Sequence, residues 1–255
     1  MPEYIISVLG DALHVLEVVG EHPGSRLPEI AKLTKITKTK VFRILKTFEA
    51  SGYVIQDSYQ TFFLHQKAYL LGQQAKRQWD LARFARAELD ALAQASHENV
   101  HLVVRDGLSS VVVDLRLSPH PIRMYAEIGR RGPLHAGGTP KVLLAFAPQD
   151  VLTKVLEADL KRFTTETITT KPKLLKSLEQ IRRDGYHVAA SDLDEGAFSI
   201  AAPIRNHKLE VIAAISVAGP MMRLNQSLQT QYVELVRQAA ERISNKLGGQ
   251  NTEMG

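Results

Sequence analysis

Between Leu27 and Gly52 the apolar residues keep a helical period but are split by one short polar turn, and this break constrains the fold more than any other stretch. Ile30 and Leu33 form one short face; Val41, Ile44, Leu45 and Phe48 form a second, longer one. Thr34-Lys35-Ile36-Thr37 separates the two, with Thr37 placed to cap the second helix. Between Glu29 and Glu49 every charged residue is positive: Lys32, Lys35, Lys38, Lys40, Arg43 and Lys46. The second helix is expected to bury Val41, Leu45 and Phe48 and to leave Lys38, Thr39, Arg43 and Lys46 on its open side. Two short helices with the second one basic suit duplex DNA, whose major groove admits a helix. Ser51-Gly52 then stops the helix. Tyr53-Val54-Ile55 and Thr61-Phe62-Phe63-Leu64 flank the polar turn Gln56–Gln60, which reads as a β-hairpin. A helix-turn-helix followed by a hairpin is a winged helix. The competing reading is a three-helix subdomain with a solvated basic face; it leaves both the placing of the cations and the hairpin unexplained. The candidate DNA contacts are Lys38, Thr39 and Arg43 for base edges, Lys40 and Lys46 for phosphates, and Gln56, Tyr59 and Gln60 of the wing for backbone or minor groove.

The chain has 255 residues, 44% hydrophobic and 23% charged, enough for one large domain or two smaller ones with a sizeable core. A formal charge of +5 and a pI of about 9.3 suit a nucleic-acid partner. The absence of cysteine excludes disulfides, thiolate metal sites and a cysteine nucleophile. No apolar run approaches the roughly 20 residues of a membrane helix, so no membrane partner is expected. Met1-Pro2-Glu3-Tyr4 has no basic n-region; no signal peptide is read and the expected compartment is the cytoplasm.

Ile5–Gly20 reads as the first helix of the winged domain, with Ile6, Leu9, Leu13, Leu16 and Val19 as its stripe and Asp11, Glu17 and Glu21 away from DNA. His65–Arg77 is a polar helix suited to a spacer, and a further helix runs from Trp79 to about Ser96. Beyond it, Val100–Val104 and Ser110–Leu117 are β-branched runs around the hairpin signal Asp106-Gly107, and Ile122–Glu127 is a candidate third strand. Thr139–Ala147, Gln149–Glu157 and Lys173–Asp184 read as helices. Tyr186–Ala190, Ser199–Arg205 and Leu209–Ala218 read as strands, and Asn225–Gly248 as a closing helix. The order predicts one mixed, largely antiparallel sheet with helices packed on it, an α+β chain overall. The expected divisions are 1–65 for DNA binding, 66–78 as a linker helix, 79–248 as a sensing domain and 249–255 as a disordered tail.

Five segments together resemble the IclR family of bacterial transcription regulators. They are LPEIAKLTKITKTKVFRILKTFEASGYV, VHLVVRDG, RMYAEIGRRGPLHAGGTPKVLLAF, GYHVAASDLDEGAFSIAAPI and AAISVAGPMMRL, in the family's order and covering the chain to about Gly248. The resemblance implies a winged helix, a linker helix and a C-terminal effector domain related to GAF and PAS domains. It also implies homodimers or dimers of dimers on a palindromic double-stranded operator, with a small organic molecule tuning the binding. Carried onto this chain, the implied effector contacts are Gly138 and Thr139 after His135-Ala136, Ser199, Ser216 and the apolar wall position Met124. The chain departs from the family where Ala189 and Ala190 replace acidic residues, Ser199 a cysteine, Ala218 a serine and Pro140 a glycine. Ala189 and Ala218 therefore count as pocket positions that have lost polarity.

No cofactor is called for. His97, His101, His135 and His187 do not share a helix face at ligand spacing, so no metal site is expected. Asp192, Asp194 and Glu195 on one loop beside Gly196 read as a solvated turn or cap rather than an acid–base pair. Ser199 and Ser216 lack a nucleophile-elbow sequence and read as hydrogen-bond donors or plain strand residues. Gly137-Gly138 is a candidate anion nest. No catalytic residue is assigned. The expected function is a repressor of a catabolic operon modulated by a small organic acid, an aromatic carboxylate rather than a short polar acid. The rivals are an enzyme carrying an interaction module and a winged-helix regulator with an empty sensor domain.

Overall fold

A computed structural model describes residues 6–78 and 80–248; the expected tail 249–255 lies outside the described residues. The chain divides into two compact units, Met1–Trp79 and Asp80–Gly255.

In the first unit the order is α1 (Ser7–Glu21), β1 (Ser25–Arg26), α2 (Leu27–Thr34), α3 (Lys38–Ala50), β2 (Val54–Gln56), β3 (Thr61–Leu64) and α4 (Gln66–Gln78). The Glu29 carboxylate accepts the Arg26 amide at 2.7 Å and so closes the start of α2, next to Pro28 in the first turn. Lys35 turns the chain with φ +58°, a left-handed conformation that L side chains rarely adopt. Thr37 takes the expected N-cap position of α3, but its side chain makes no capping bond. The hairpin β2–β3 is antiparallel, and the short strand β1 adds to it in the order β1-β3-β2. Asp57 holds the tip by accepting the Tyr59 and Thr61 amides, and the Thr61 amide is the main reason its carboxyl titrates below the usual range. Val15, Val18, Val19, Ile30, Val41, Ile44, Leu45, Val54 and Phe62 form the core. Phe48 packs against it only partly buried. The face of α1 differs from expectation: Ile6, Leu9 and Leu13 stay exposed. Valines and leucines lie on two neighbouring stripes of this helix, so periodicity alone could not choose between them, and the stripe of Val15, Val18 and Val19 is the one that packs.

The second unit runs α5 (Asp80–Ser96), β4 (Asn99–Asp106), β5 (Ser109–Arg116), β6 (Arg131–Pro133), α6 (Gly138–Ala145), α7 (Gln149–Glu157), α8 (Lys171–Asp184), β7 (His187–Ala190), β8 (Ala197–Arg205), β9 (Val211–Pro220), a 3-10 turn at Met221–Arg223 and α9 (Gln226–Lys246). Among the described residues the strands form one six-stranded sheet in the order β6-β5-β4-β9-β8-β7. Every pairing is antiparallel, so the sheet is not mixed. One face packs on α5 and α9 through Leu89, Leu102, Ile200, Ile215, Val236 and Ile243. The other packs on α6, α7 and α8 through Val103, Leu144, Leu174, Leu178 and Ala214. Alternation along β8 and β9 feeds both cores, which is why these strands read as continuous apolar runs. Ile122–Glu127 is not a strand. The third strand is Arg131–Pro133, and the intervening chain is a loop tied down by side chains. Buried Asn99 donates to the Met124 carbonyl at 2.9 Å and accepts the Ser118 amide at 2.8 Å. Arg223 grips the buried Glu98 carboxylate with two bonds of 2.5 Å and donates to the Ile122 carbonyl at 2.8 Å.

Candidate functional site

The first site is the open face of α3. Lys38, Thr39, Arg43 and Lys46 are exposed there, because Val41, Ile44 and Leu45 take the opposite face into the core. Lys40 lies at the margin of that face, half-buried, and its ammonium pairs with Asp11 of α1. Asp11 therefore braces the basic helix, a pairing that no sequence pattern announces. Lys46 donates to Glu49 at 2.7 Å and to the Gln56 side chain at 3.0 Å, and Gln56 donates in turn to Gln60 at 3.0 Å. The basic helix and the wing are thus joined by one chain of side-chain bonds. Tyr59 projects from the wing tip, 75% exposed. Lys46→Ala is expected to weaken binding to all duplex sequences alike and to lower the salt slope by about 0.9 for each phosphate left without its cation. A titration series in salt measures this; altered base preference with an unchanged slope would count against the phosphate role.

The second site is a cavity of about 110 Å³ between the sheet and the start of α6. Met124, Gly138, Thr139, Ala189, Ser199, Ser216 and Ala218 all line it, so the structure brings together every residue carried over as an effector contact. Register explains this: Ala189 faces Ser199 across β7–β8, Ser199 faces Ala218 across β8–β9, and Ser216 faces His101 across β9–β4. Val103, Val112, Met124 and Leu193 give the cavity a largely apolar wall. Gly138 sits where α6 lands on β8. A Cβ there would lie 2.8 Å from the Ser199 Cβ and 2.9 Å from its carbonyl oxygen, so the helix can approach this closely only with glycine.

The turn before α6 is not an empty anion nest. The Gly137 amide donates to Asp192 Oδ1 at 3.0 Å, and Asp192 Oδ2 lies 2.5 Å from the Lys141 ammonium. Both charged side chains are buried. Thr167 and Thr164 hold the same loop by donating to the carbonyls of Asp192 and Ser191. Asp192 is therefore structural and buried, not part of a solvated turn. Asp194 is not simply solvated either: Arg130 reaches it at 3.1 and 3.4 Å and also donates to the Tyr125 carbonyl at 3.1 Å.

Sequence reasoning missed Arg130, Asp194 and His101, which line the same cavity. Arg130 and Arg131 both line it: Arg130 reaches Asp194, and Arg131, paired with Val111 of β5, reaches Asp106 at 2.6 Å. His101 Nδ1 lies 3.5 Å from Ser216 Oγ, so this serine does have an imidazole beside it. Burial first, and then the Arg130 charge, push the His101 ring from the ordinary 6.5 down to about 4, which makes it a poor general base near neutrality. His187 is pushed to about 3 by burial and the Lys141 charge. His135 instead meets the Lys161 carbonyl at 2.9 Å and packs on Phe163. Among the described residues no group of three His, Asp or Glu is placed to hold a metal ion.

Both lowered histidines couple folding to pH with a definite sign. Below pH 6.5 the unfolded chain binds protons that folded His101 and His187 refuse, so their contribution is complete above 6.5 and lost as pH falls towards about 4 for His101 and about 3 for His187. Unfolding free energies from urea titrations are expected to drop between pH 6.5 and 4 by on the order of 3 kcal/mol for each histidine. His101→Gln should flatten the slope; an unchanged pH dependence would show that the ring is not held neutral.

A family model described as bacterial transcriptional regulator IclR C-terminal matches residues 73–245, and one for the IclR helix-turn-helix domain matches residues 9–58. The chain is 33% identical over 249 residues to the HTH-type transcriptional regulator KdgR of Escherichia coli (strain K12), covering 97% of this chain and 94% of that protein. It is 32% identical over 227 residues to the HTH-type transcriptional repressor AllR of the same organism, covering 88% and 84%. The crystal structure of an IclR transcriptional regulator from Alicyclobacillus acidocaldarius superposes with a TM-score of 0.88 at 23% identity, covering 96% of this chain and 100% of that one. A winged helix with an exposed basic recognition helix, joined to an antiparallel α+β domain holding a cavity, fits these matches along its length: the chain belongs to the IclR family of bacterial transcriptional regulators.

Proposed function

We propose that the protein is a repressor that binds a palindromic operator as a homodimer or dimer of dimers and is modulated by a small organic acid. One observation carries the reading: the chain that exposes Lys38, Thr39 and Arg43 on a recognition helix also encloses a cavity lined by apolar groups and a few polar ones. On this reading Lys38, Thr39 and Arg43 read base edges, Lys46 meets phosphate, and Gln56, Tyr59 and Gln60 carry the wing to the backbone. Residues 66–78 act as the linker helix between DNA-binding and sensing parts. The exposed Ile6, Leu9 and Leu13 on α1 supply an apolar row of the kind that contacts between subunits cover. Ala189, Ala218, Val103 and Val112 favour an apolar or aromatic body on the acid. The relative named a repressor supports the sign of regulation. The protein is not an enzyme on this reading, since the imidazole beside the cavity serine Ser216 is held neutral and weakly basic. Work on a bacterial operator takes place in the cytoplasm. Among the described residues no helix is long and apolar enough to cross a membrane.

Gel shifts with DNA from upstream of the gene and its neighbours, in the presence of a panel of organic acids, test the whole reading. Salt-sensitive binding that an acid weakens supports it. DNA binding that no acid changes favours an unliganded regulator, and turnover of an acid without DNA binding favours an enzyme.

A further inference from the structure

We propose that Phe42 is a base-reading residue whose ring packs on the 5-methyl group of one thymine in the major groove of each half-site. The inference rests on the reading of α3 as the recognition helix and adds to it one apolar contact and the base that makes it.

Phe42 breaks the pattern of its helix. Val41, Ile44 and Leu45 are buried in the core and Phe48 packs against it, whereas Phe42 is 47% exposed and takes no part in that core. It stands one turn after Lys38 and one turn before Lys46, both exposed, so the three share a stripe. The Lys46 ammonium lies 6.0 Å from the centre of the Phe42 ring and 3.0 Å from the Gln56 side chain of the wing. The ring therefore sits where the basic helix meets the hairpin.

The charges beside the ring decide what can cover it. Lys38, Arg43 and Lys46 give the exposed face of α3 three positive charges, of which Glu49 offsets the one it bonds, Lys46. A second copy of this face would bring like charges together over the ring. A polyanion with apolar groups recessed between its charges satisfies both the cations and the ring. Duplex DNA has that form, with phosphates along the rims and a methyl group on the groove floor at every thymine. No other base carries a methyl on that edge, and phenylalanine is one of the side chains suited to meet it. The ring donates and accepts no hydrogen bond, so it distinguishes thymine by apolar burial alone. Burying one such group is worth about fourfold in affinity.

Uracil differs from thymine only by this methyl, so deoxyuridine is the probe. Full-length wild type first enriches its own site from a random duplex library. Each thymine of that duplex is then replaced in turn by deoxyuridine, and fluorescence anisotropy gives the affinities of wild type and Phe42→Ala. Wild type should lose about fourfold at one thymine in each half-site and about fifteenfold when both are replaced. For Phe42→Ala the same replacements should change affinity by no more than about twofold, with affinity for a shuffled duplex and the unfolding temperature unchanged. Phe42→Gln, which keeps much of the bulk but ends in an amide, should lose the same sensitivity. A damaged fold weakens binding to every duplex alike and does not erase the response at one base. A site with no methyl-sensitive thymine overturns the proposal and leaves the recognition-helix reading standing. Sensitivity that survives in Phe42→Ala does the same, as does sensitivity surviving in Phe42→Gln where the alanine variant binds too weakly to read. If wild type enriches no duplex, the recognition-helix reading fails and this inference falls with it.

Discussion

Lys141→Met is expected to destabilise the second unit by about 3–5 kcal/mol, because it strips the partner from a buried carboxylate without opening a path for water. Lys141 and Asp192 are 4% and 8% exposed at their side chains and 2.5 Å apart. Among the described residues only the Gly137 amide then remains bonded to the Asp192 carboxylate. A loss of that size corresponds to a fall of roughly 10 °C or more in the unfolding midpoint. The double variant Lys141→Met with Asp192→Leu should recover much of the loss, since replacing both members of a buried pair by apolar groups is often nearly neutral. Calorimetric scans of the four proteins measure the cycle. A single variant within about 1 kcal/mol of wild type would show that water reaches Asp192 and that the pair is not sealed.

Arg43→Ala is expected to abolish specific DNA binding while leaving stability unchanged. The side chain is exposed on α3 and takes no part in the core built from Val41, Ile44 and Leu45. Removing a base-reading side chain costs about 1–3 kcal/mol in each half-site. Over the two half-sites of a palindrome this reaches about 2–6 kcal/mol, or roughly thirty-fold to ten-thousand-fold in affinity. Gel-shift titration against the operator and a shuffled duplex separates specific from non-specific binding. Unchanged affinity for the operator would remove Arg43 from the reading surface.

The N-terminal unit was legible where local rules decide. Helical period split by Thr34–Thr37, the stop at Ser51-Gly52 and two short apolar runs give α2, α3 and the wing within a residue or two. The face of α1 was not, because valines and leucines compete for the same core and only packing settles which stripe goes in. Lys40 shows the same limit for charge: its partner Asp11 lies 29 positions away, and sequence pattern does not report such pairs. In the second unit β-branched runs and Gly185 marked the strands and the end of α8, while Ile122–Glu127 had strand propensity without a strand to pair with. The cavity positions carried over by resemblance converge because their register is fixed by β7, β8 and β9. Arg130 and Asp194 meet across 64 positions, and their meeting depends on how the loop before β6 is tethered.

That loop has a consequence for how proteins of this shape diversify. Most of the cavity is built from hydrogen-bonded scaffold, where an exchange at Ser199 or Gly138 disturbs the landing of α6 on the sheet. Met124, Tyr125 and Arg130 instead sit on irregular chain pinned at a few points, by Asn99 at Met124, by Arg223 at Ile122 and by the Val112 carbonyl at Gly129. Substitutions or length changes between those pins alter what the cavity meets while leaving the strand ladder intact. Evolution can therefore exchange one chemical signal for another by editing about a dozen residues at the sheet edge, with little cost to folding.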